Sequence, residues 1–244
     1  NLSNYKIGQM ETLYRRIEER LRQVPGVRMV TAALYAPMSG DSWNNGIRIE
    51  GRPEPPPKED TGAGRATITP GFVEAIGAKV ILGRSITEED TATTRKVAIV
   101  NEAFAKKFFK DQNPIGQHFG PDRIKYSGTY EIVGVTNDIR YMTWGMKEPV
   151  RPMYLTPEAQ TVHYDDPAYA GGEESAHYLD NIVIWAPGNP PGMAERVRKA
   201  LAEVDPTLVV YDVDPYEKVV SDDFSQEALI ATLTSLFGAL GLLL

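Results

Sequence analysis

The sequence has no cysteine, and its basic residues are outnumbered by acidic ones. The absence of cysteine excludes disulfide bonds and thiolate metal sites, but such a chain is compatible with oxidising and reducing compartments alike. There are 26 Lys and Arg against 33 Asp and Glu, which gives a net charge of -7, and both signs are mixed along the chain. A nucleic-acid-binding domain would concentrate basic residues on one face. We therefore predict no nucleic-acid partner.

Motifs that hold nucleotides or direct export are missing as well. Neither G-x-x-x-x-G-K-[ST] nor G-x-G-x-x-G occurs, so we expect that the chain does not hydrolyse ATP by itself, and we predict no cofactor. Residues Asn1 to Tyr14 do not combine a basic start with an apolar run, so this stretch does not read as a signal peptide.

What is present fits one large domain or two smaller ones, since 42% of the 244 residues are hydrophobic. Apolar spacing and turn residues predict the order of the elements. Helices are predicted over 11–22, around 69–77, from 86–90, after the cap residue Asn101, over 193–204 and from Asp214. Strands are predicted over 27–35, 46–51, 97–100, 130–140, 151–157, 181–185 and 207–213. Gly62 and Gly64 are predicted in a turn, and 163–180 in a long polar loop.

This order predicts an α+β fold of a particular kind. The first unit is α-β-β and the last is β-α-β, which together resemble the ferredoxin-like split β-α-β arrangement without its first strand. The two chain ends, 1–64 and 181–220, would then form one subdomain. Residues 65–180 would form an inserted, mixed α/β subdomain, and 221–244 a juxtamembrane helix that leads into the membrane.

The last 17 residues, "ALIATLTSLFGALGLLL" from Ala228 to Leu244, carry no charge. Nine of them, seven Leu with Ile230 and Phe237, each contribute roughly -0.3 to -0.6 kcal/mol at a bilayer centre, or about -4 kcal/mol in total. A buried C-terminal helix is the alternative, but a surface helix would have a polar side. We predict the start of a transmembrane helix, with these membrane-embedded side chains: Leu229, Leu233, Leu236, Phe237, Leu240, Leu242, Leu243 and Leu244.

Four groups of residues are candidates for chemistry or binding, and each has a simpler explanation. "SGDSW", Ser39 to Trp43, resembles a serine esterase element, but no His follows an Asp at the required spacing, so a polar turn is favoured. Acidic residues 88–90 are explained by the dipole of the predicted helix.

A metal site could involve His163, Asp165, Asp166, Glu173, Glu174 and His177, but their spacing favours a solvated loop. An aromatic surface could involve Tyr141, Trp144, Tyr154, Tyr164, Tyr169 and Tyr178, but packing is favoured. We predict no catalytic and no metal residues.

Five segments in order resemble one known family. They are "LRQVPGVRMVTAA", "ITPGFVEAIGAKVILGRSITEED", "KVAIVNEAFAKKFFKDQNPIGQHF", "YEIVGVTNDIR" and "LIATLTSLFGALGLLL". This series resembles the extracytoplasmic core domain of MacB/FtsX-type ABC transporter permeases. The resemblance implies a domain held between transmembrane helices on the periplasmic face of the bacterial inner membrane. It also implies no catalytic residues. The implied partners are a second permease copy or repeat, a cytoplasmic ABC ATPase and, in some members, an adaptor protein or an outer-membrane channel.

The leading hypothesis is a non-enzymatic domain that relays ATP-driven movement outward, for efflux or for mechanotransmission. The first alternative is a solute- or lipid-binding module with an apolar pocket between its subdomains. The second is a metal-dependent hydrolase that uses the carboxylates and histidines of the polar loop.

Overall fold

The computed structural model describes residues 2, 5–39, 42–110, 112–141 and 149–221. Its helices are α1 (Ile7–Arg22), α2 (Phe72–Ala75), α3 (Glu102–Phe109), α4 (Pro167–Ala176) and α5 (Met193–Val204), with one 3-10 turn at Ile124–Tyr126. Its strands are β1 (Met29–Ala33), β2 (Asn44–Ile49), β3 (Gly62–Ile68), β4 (Val80–Gly83), β5 (Val97–Asn101), β6 (His118–Pro121), β7 (Tyr130–Thr136), β8 (Met153–Pro157) and β9 (Asn181–Trp185). Residues 216–221 are helical too.

Six of the described strands close into a ring. Their order is β2-β6-β7-β5-β8-β3, and β2 also pairs with β3, which joins the two ends of this series. The β5–β7 and β3–β8 pairs are parallel, whereas β2–β6, β6–β7, β5–β8 and β2–β3 are antiparallel. Strand β4 pairs with the C-terminal end of β7, and β6 pairs with the beginning of β7. We call these six strands the ring.

Aromatic side chains fill the ring, and α3 contributes several of them. Phe104 of α3 lies 5.1 Å from Phe119 and 6.3 Å from Tyr154, measured between ring centres. The side chain of Asn101 accepts a hydrogen bond from the Phe104 amide at 3.0 Å, so the predicted cap of this helix is confirmed. The cap at the end of β5 thus directs α3 onto the core of the ring.

A second unit, which we call the two-helix layer, consists of α1, α5, β1 and β9. Strand β1 pairs with β9 along its length and with β3 of the ring at Ala33, opposite Ile68. Both helices bury apolar side chains against these strands, among them Leu13, Ile17 and Leu21 of α1 and Val197 and Leu201 of α5. The helices are also tied by the Arg20–Glu203 ion pair. The N-terminal helix α1 and the later unit formed by β9 and α5 therefore pack together in this layer.

The polar stretch 163–180, predicted as a loop, is not one, because it contains helix α4. Asp166 accepts a hydrogen bond from the Ala168 amide at 3.1 Å, and Pro167 occupies the first position of the helix. These are ordinary helix-start signals. In the sequence, however, Gly171, Gly172 and the lack of apolar periodicity favour a loop over a helix. The helix is held by burial of Glu173 and Ala176 instead.

Other predicted elements were also wrong in detail. Residues 86–90 form no helix; they include a turn, and Asp90 accepts hydrogen bonds from Arg84 and from the Thr87 amide. Gly62 and Gly64 lie in β3 rather than in a turn, and β3 runs through residues 64 and 65. Residues 207–213 are not paired as a strand with any described residue. Strand β2 pairs with β3 and β6 of the ring.

Candidate functional site

A buried ion pair fixes α4 to the ring. Arg65 on β3 and Glu173 on α4 lie 2.7 Å apart, with only 6% and 2% of their side chains exposed. Burial alone would raise the pKa of Glu173, but the charge of Arg65, with contacts from His177 and the Val162 amide, lowers it to about 2. The carboxylate is therefore charged over the whole physiological pH range.

Tyrosine side chains surround the buried guanidinium. The Arg65 guanidinium carbon lies 5.8 Å from the ring centre of Tyr130, close enough for a cation–π contact. The hydroxyl of Tyr154 accepts a hydrogen bond from the Asn45 side chain at 2.9 Å. Burial raises the pKa of the Tyr130 and Tyr154 hydroxyls, so both stay neutral.

A second buried contact joins the end of α4 to α1. The Tyr14 hydroxyl donates to the His177 carbonyl oxygen at 3.0 Å and accepts from the Leu179 amide at 2.6 Å. His177 in turn places its Nε2 3.7 Å from the Glu173 carboxylate. Buried contacts thus run from α1 in the two-helix layer, through α4, to Arg65 in the ring. We call this path the α1–α4 connection.

Two buried carboxyl groups lie between α1 and the sheet. Glu18 accepts hydrogen bonds from the Thr69 hydroxyl and from Arg22, both at 2.6 Å. Glu158, just after β8, is 6% exposed. Burial, with the nearby charges of Glu11 and Glu18, raises the pKa of Glu158 to about 8, and Arg15 opposes this shift. The contact region between α1 and the sheet therefore includes one carboxyl group, that of Glu158, which is mostly protonated at neutral pH.

The residues considered for a metal site do not converge. No three His, Asp or Glu residues within the described ranges group together in a way that could hold a metal ion. Asp165 pairs with Lys125 at 2.8 Å on the surface, Asp166 caps α4, and Glu173 and His177 belong to the α1–α4 connection. His163 and Glu174 are exposed.

The other candidates have structural surroundings. Trp43 donates to the Asn45 side chain at 3.1 Å, while Gly40 and Asp41 of "SGDSW" lie outside the described residues. Glu88 and Glu89 are exposed, and Asp90 is paired with Arg84 at 2.7 Å.

The aromatic candidates are mostly packed. Tyr141 and Tyr154 are buried, and Tyr164 and Tyr169 stack with Tyr126. Tyr178 donates to the carbonyl oxygen of Tyr5, and Trp144 lies outside the described residues.

A cleft of about 510 Å³ lies beside the ring. Its lining comes from Glu50, residues 124–129 and residues 162–164. None of these belongs to α1, β1, β9 or α5, and many are polar. The cleft thus differs from the apolar pocket between subdomains that the ligand-binding alternative predicted. Within the described residues, no helix is long and apolar enough to cross a membrane, and the eight side chains predicted as membrane-embedded lie outside them.

The domain is of the mixed α/β class: a closed ring of six strands is attached to a layer in which α1 and α5 pack together on β1 and β9. Comparison with protein families then identifies the group. The MacB-like periplasmic core domain family matches residues 4–204, and the chain belongs to this family. The resemblance noted from the sequence is thereby confirmed. Among curated proteins, no match was found.

Three solved structures are similar to this chain at low sequence identity. The extracellular domain of the noncanonic ABC-type transporter YknZ from Gram-positive bacteria matches with a TM-score of 0.50 and 18% identity, over 80% of this chain and 84% of that one. The periplasmic region of MacB from Actinobacillus actinomycetemcomitans gives 0.47 and 15%, over 78% and 72%. A domain of a permease protein from Porphyromonas gingivalis gives 0.46 and 16%, over 80% and 70%.

Proposed function

We propose that this domain is the extracytoplasmic part of an ABC transporter permease and that it relays ATP-driven movement from the membrane outward, for efflux or mechanotransmission. One observation carries the proposal beyond the family match. Tyr5, just before α1, donates a hydrogen bond to Asp205, just after α5. Because the chain enters α1 beside the point where it leaves α5, the domain can be driven by two membrane helices that move relative to each other.

The α1–α4 connection supplies a path for this relay. Movement of α1 would reach α4 through the Tyr14 hydroxyl and the ring through the buried Arg65–Glu173 pair. Rigid, buried contacts of this kind transmit displacement because they have few alternative arrangements. The domain works in this proposal without catalytic residues.

Further features of the whole protein belong to the same proposal. The eight apolar side chains between Leu229 and Leu244 begin a transmembrane helix that follows the helical residues 216–221. The porter-like, ferredoxin-like part of this proposal comes from the two chain ends, assigned from the sequence as 1–64 and 181–220, except that β2 and the start of β3 pair in the ring with the inserted part, 65–180. The partners are a second permease copy or repeat, a cytoplasmic ABC ATPase and, as an option of the family, a periplasmic adaptor or outer-membrane channel. The site of action is the outer face of the bacterial inner membrane.

The location can be tested with a single cysteine, because these 244 residues contain none. The encoded full-length protein would carry the exposed substitution Glu54→Cys or the buried control Ala98→Cys. A membrane-impermeant maleimide added to intact cells should label Glu54→Cys but not Ala98→Cys or the unsubstituted protein. Labelling of Glu54→Cys only after lysis would contradict an extracytoplasmic location.

The relay can be tested by amide hydrogen exchange on the purified, membrane-embedded protein with the ATPase that co-purifies with it. Exchange is compared with and without ATP and vanadate. We expect exchange in α1 and α4 to change between the two states. Unchanged exchange throughout the described residues would contradict a relay through this domain.

A further inference from the structure

Arg48 of β2 carries a buried guanidinium without a counter-charge. Only 5% of the residue is exposed, its Nε makes no hydrogen bond, and it forms no ion pair within the part of the chain that the structure describes. Arginine stays charged inside proteins, and a buried charge without a partner is strongly unfavourable. Arg65, which is buried to the same degree, has Glu173 beside it. Arg48 therefore lacks the compensation that Arg65 has.

The side chain of Arg48 lies on the outer face of the ring. Its neighbours Ile47 and Ile49 belong to the apolar core of the ring. Successive side chains of a strand point to opposite faces, so Arg48 shares the outer face with Gly46 and Glu50.

Residues 122–128 cover this outer face. A Cβ added to Gly46 would lie 3.0 Å from Asp122, and one added to Gly128 would lie 2.6 Å from Glu50. Residues 122–128 thus contact β2 on both sides of the buried guanidinium. All of these residues lie in ranges that the structure describes in full.

The carboxylates near this face already have other partners. They form these contacts: Glu50 with His118 at 3.2 Å, Asp122 with the Tyr169 hydroxyl, and Asp165 with Lys125 at 2.8 Å. The guanidinium of Arg48 is therefore left for a group that comes from outside the chain.

The cleft of about 510 Å³ lies against the same face, because Glu50 and residues 124–129 belong to its lining. Its volume is within the range of about 300–1,000 Å³ that is usual for small-molecule sites. Lys125, whose side chain is 52% exposed, adds a second cation to the lining. The hydroxyls of Ser127 and Thr129 add groups that can donate or accept hydrogen bonds.

We propose that Arg48 is the centre of an anion-binding site, and that the phosphate group of a small, soluble phosphorylated compound occupies the cleft against it. A guanidinium pairs with phosphate through two parallel hydrogen bonds. Phosphate has more oxygens and more charge than a carboxylate, so it uses more of the donors in this cleft. The polar lining gives little contact to an acyl chain, which favours a soluble compound over a lipid. The site does not depend on the relay of movement.

The test measures binding by isothermal titration calorimetry, with inorganic phosphate, glycerol 3-phosphate and acetate as probes and with the ionic strength kept constant by chloride. It compares the 244-residue chain with Arg48→Met, which keeps an apolar stem and removes the charge. Arg15→Met is the matched control, because Arg15 is exposed on α1. Urea unfolding in chloride gives the stability of each protein without phosphate.

We expect both phosphate compounds to bind the unsubstituted chain and Arg15→Met alike, and to bind Arg48→Met roughly ten-fold or more weakly. Acetate should bind the unsubstituted chain less tightly than phosphate does. In chloride alone, Arg48→Met should be at least as stable as the unsubstituted chain, because the substitution breaks no ion pair among the described residues.

Four results would overturn the proposal. Three concern binding: no phosphate binding to the unsubstituted chain, equal phosphate binding by Arg48→Met, or acetate binding as tightly as phosphate. The fourth is a clear loss of stability of Arg48→Met in chloride, since it would mean that a group of the chain itself neutralises the guanidinium.

Discussion

The Arg65 guanidinium and the Glu173 carboxylate meet 2.7 Å apart in the interior, where β3 of the ring passes beneath α4. Both side chains are almost completely buried, so each charge depends on the other for compensation. At the far end of α4, the Tyr14 hydroxyl bridges the main chain of His177 and Leu179. Helix α4 is thus held at one face by charge and at its end by α1, which makes it the physical link between the two-helix layer and the ring.

Glu173→Gln should destabilise the protein strongly. Removing one partner of a buried ion pair leaves an uncompensated charge, at a cost of about 3–5 kcal/mol. Urea unfolding of the 244-residue chain would measure this loss. Glu11→Gln is the matched control, because the Glu11–Arg15 pair is exposed, and such pairs contribute at most about 1 kcal/mol.

The double substitution Arg65→Met with Glu173→Leu distinguishes the stability that depends on the paired charges from the stability that depends on the packing of α4. Replacing both partners by apolar side chains is often close to neutral. We expect the double variant to recover most of the stability that Glu173→Gln loses. If it were as unstable as the single variant, the loss would come from packing of α4 rather than from the unpaired charge.

Tyr14→Phe should weaken the connection between α1 and α4 without changing the apolar packing of the ring. The substitution leaves the buried Leu179 amide without its acceptor, which costs about 1–3 kcal/mol. Hydrogen exchange at Leu179 and along α4 should accelerate, while exchange in β5 and β7 should not. Tyr211→Phe, at an exposed hydroxyl, should leave both stability and exchange unchanged.

Local signals in the sequence were sufficient for several elements. Helix α1 has apolar residues at helical spacing and ends before Pro25, the cap at Asn101 starts α3, and α5 has one apolar face. Each signal lies within one or two turns of chain, where spacing and capping act directly.

The rest depends on contacts between distant residues, which one sequence does not reveal. The ring closes because β2 pairs with both β3 and β6, and nothing in "GIRIEG" specifies these partners. Helix α4 is stabilised by Glu173 reaching Arg65, more than a hundred positions away in the chain. From the sequence alone, a glutamate in a polar, Gly-containing stretch is predicted to be exposed to solvent, because its buried partner cannot be identified there.

Glu158→Gln should stabilise the protein in a pH-dependent way. The folded-state pKa of Glu158 is about 8, above its ordinary value of 4.5, because burial and the charges of Glu11 and Glu18 disfavour its ionisation. The unfolded chain therefore releases this proton at lower pH than the folded one, so native stability is lost as pH rises from 4.5 to 8. Glutamine has no proton to lose and avoids this loss.

The expected result is a stability difference between Glu158→Gln and the unsubstituted chain that is small at pH 4.5 and grows up to pH 8. Each pKa unit corresponds to about 1.4 kcal/mol, so the difference should reach a few kcal/mol. Urea unfolding across this pH range measures it. The exposed Glu54→Gln should show no such trend, and a difference that is independent of pH would contradict the buried, protonated carboxyl.

Two glycines give opposite expectations for the same substitution. Gly8 lies in the first turn of α1, and an added Cβ would have no atom within 4 Å, so Gly8→Ala should stabilise the chain by about 0.5 kcal/mol through reduced freedom of the unfolded state.

Gly120 lies in β6, where a Cβ would overlap the carbonyl oxygen of Tyr126 and lie 2.9 Å from the Thr129 hydroxyl. Because this neighbour is main chain of the turn before β7, it cannot move without disturbing the ring. Gly120→Ala should therefore cost about 3 kcal/mol, the upper end for overpacking. Thermal unfolding of both variants measures the contrast, and an unchanged melting temperature for Gly120→Ala would show that the 126–129 turn is free to shift away from β6.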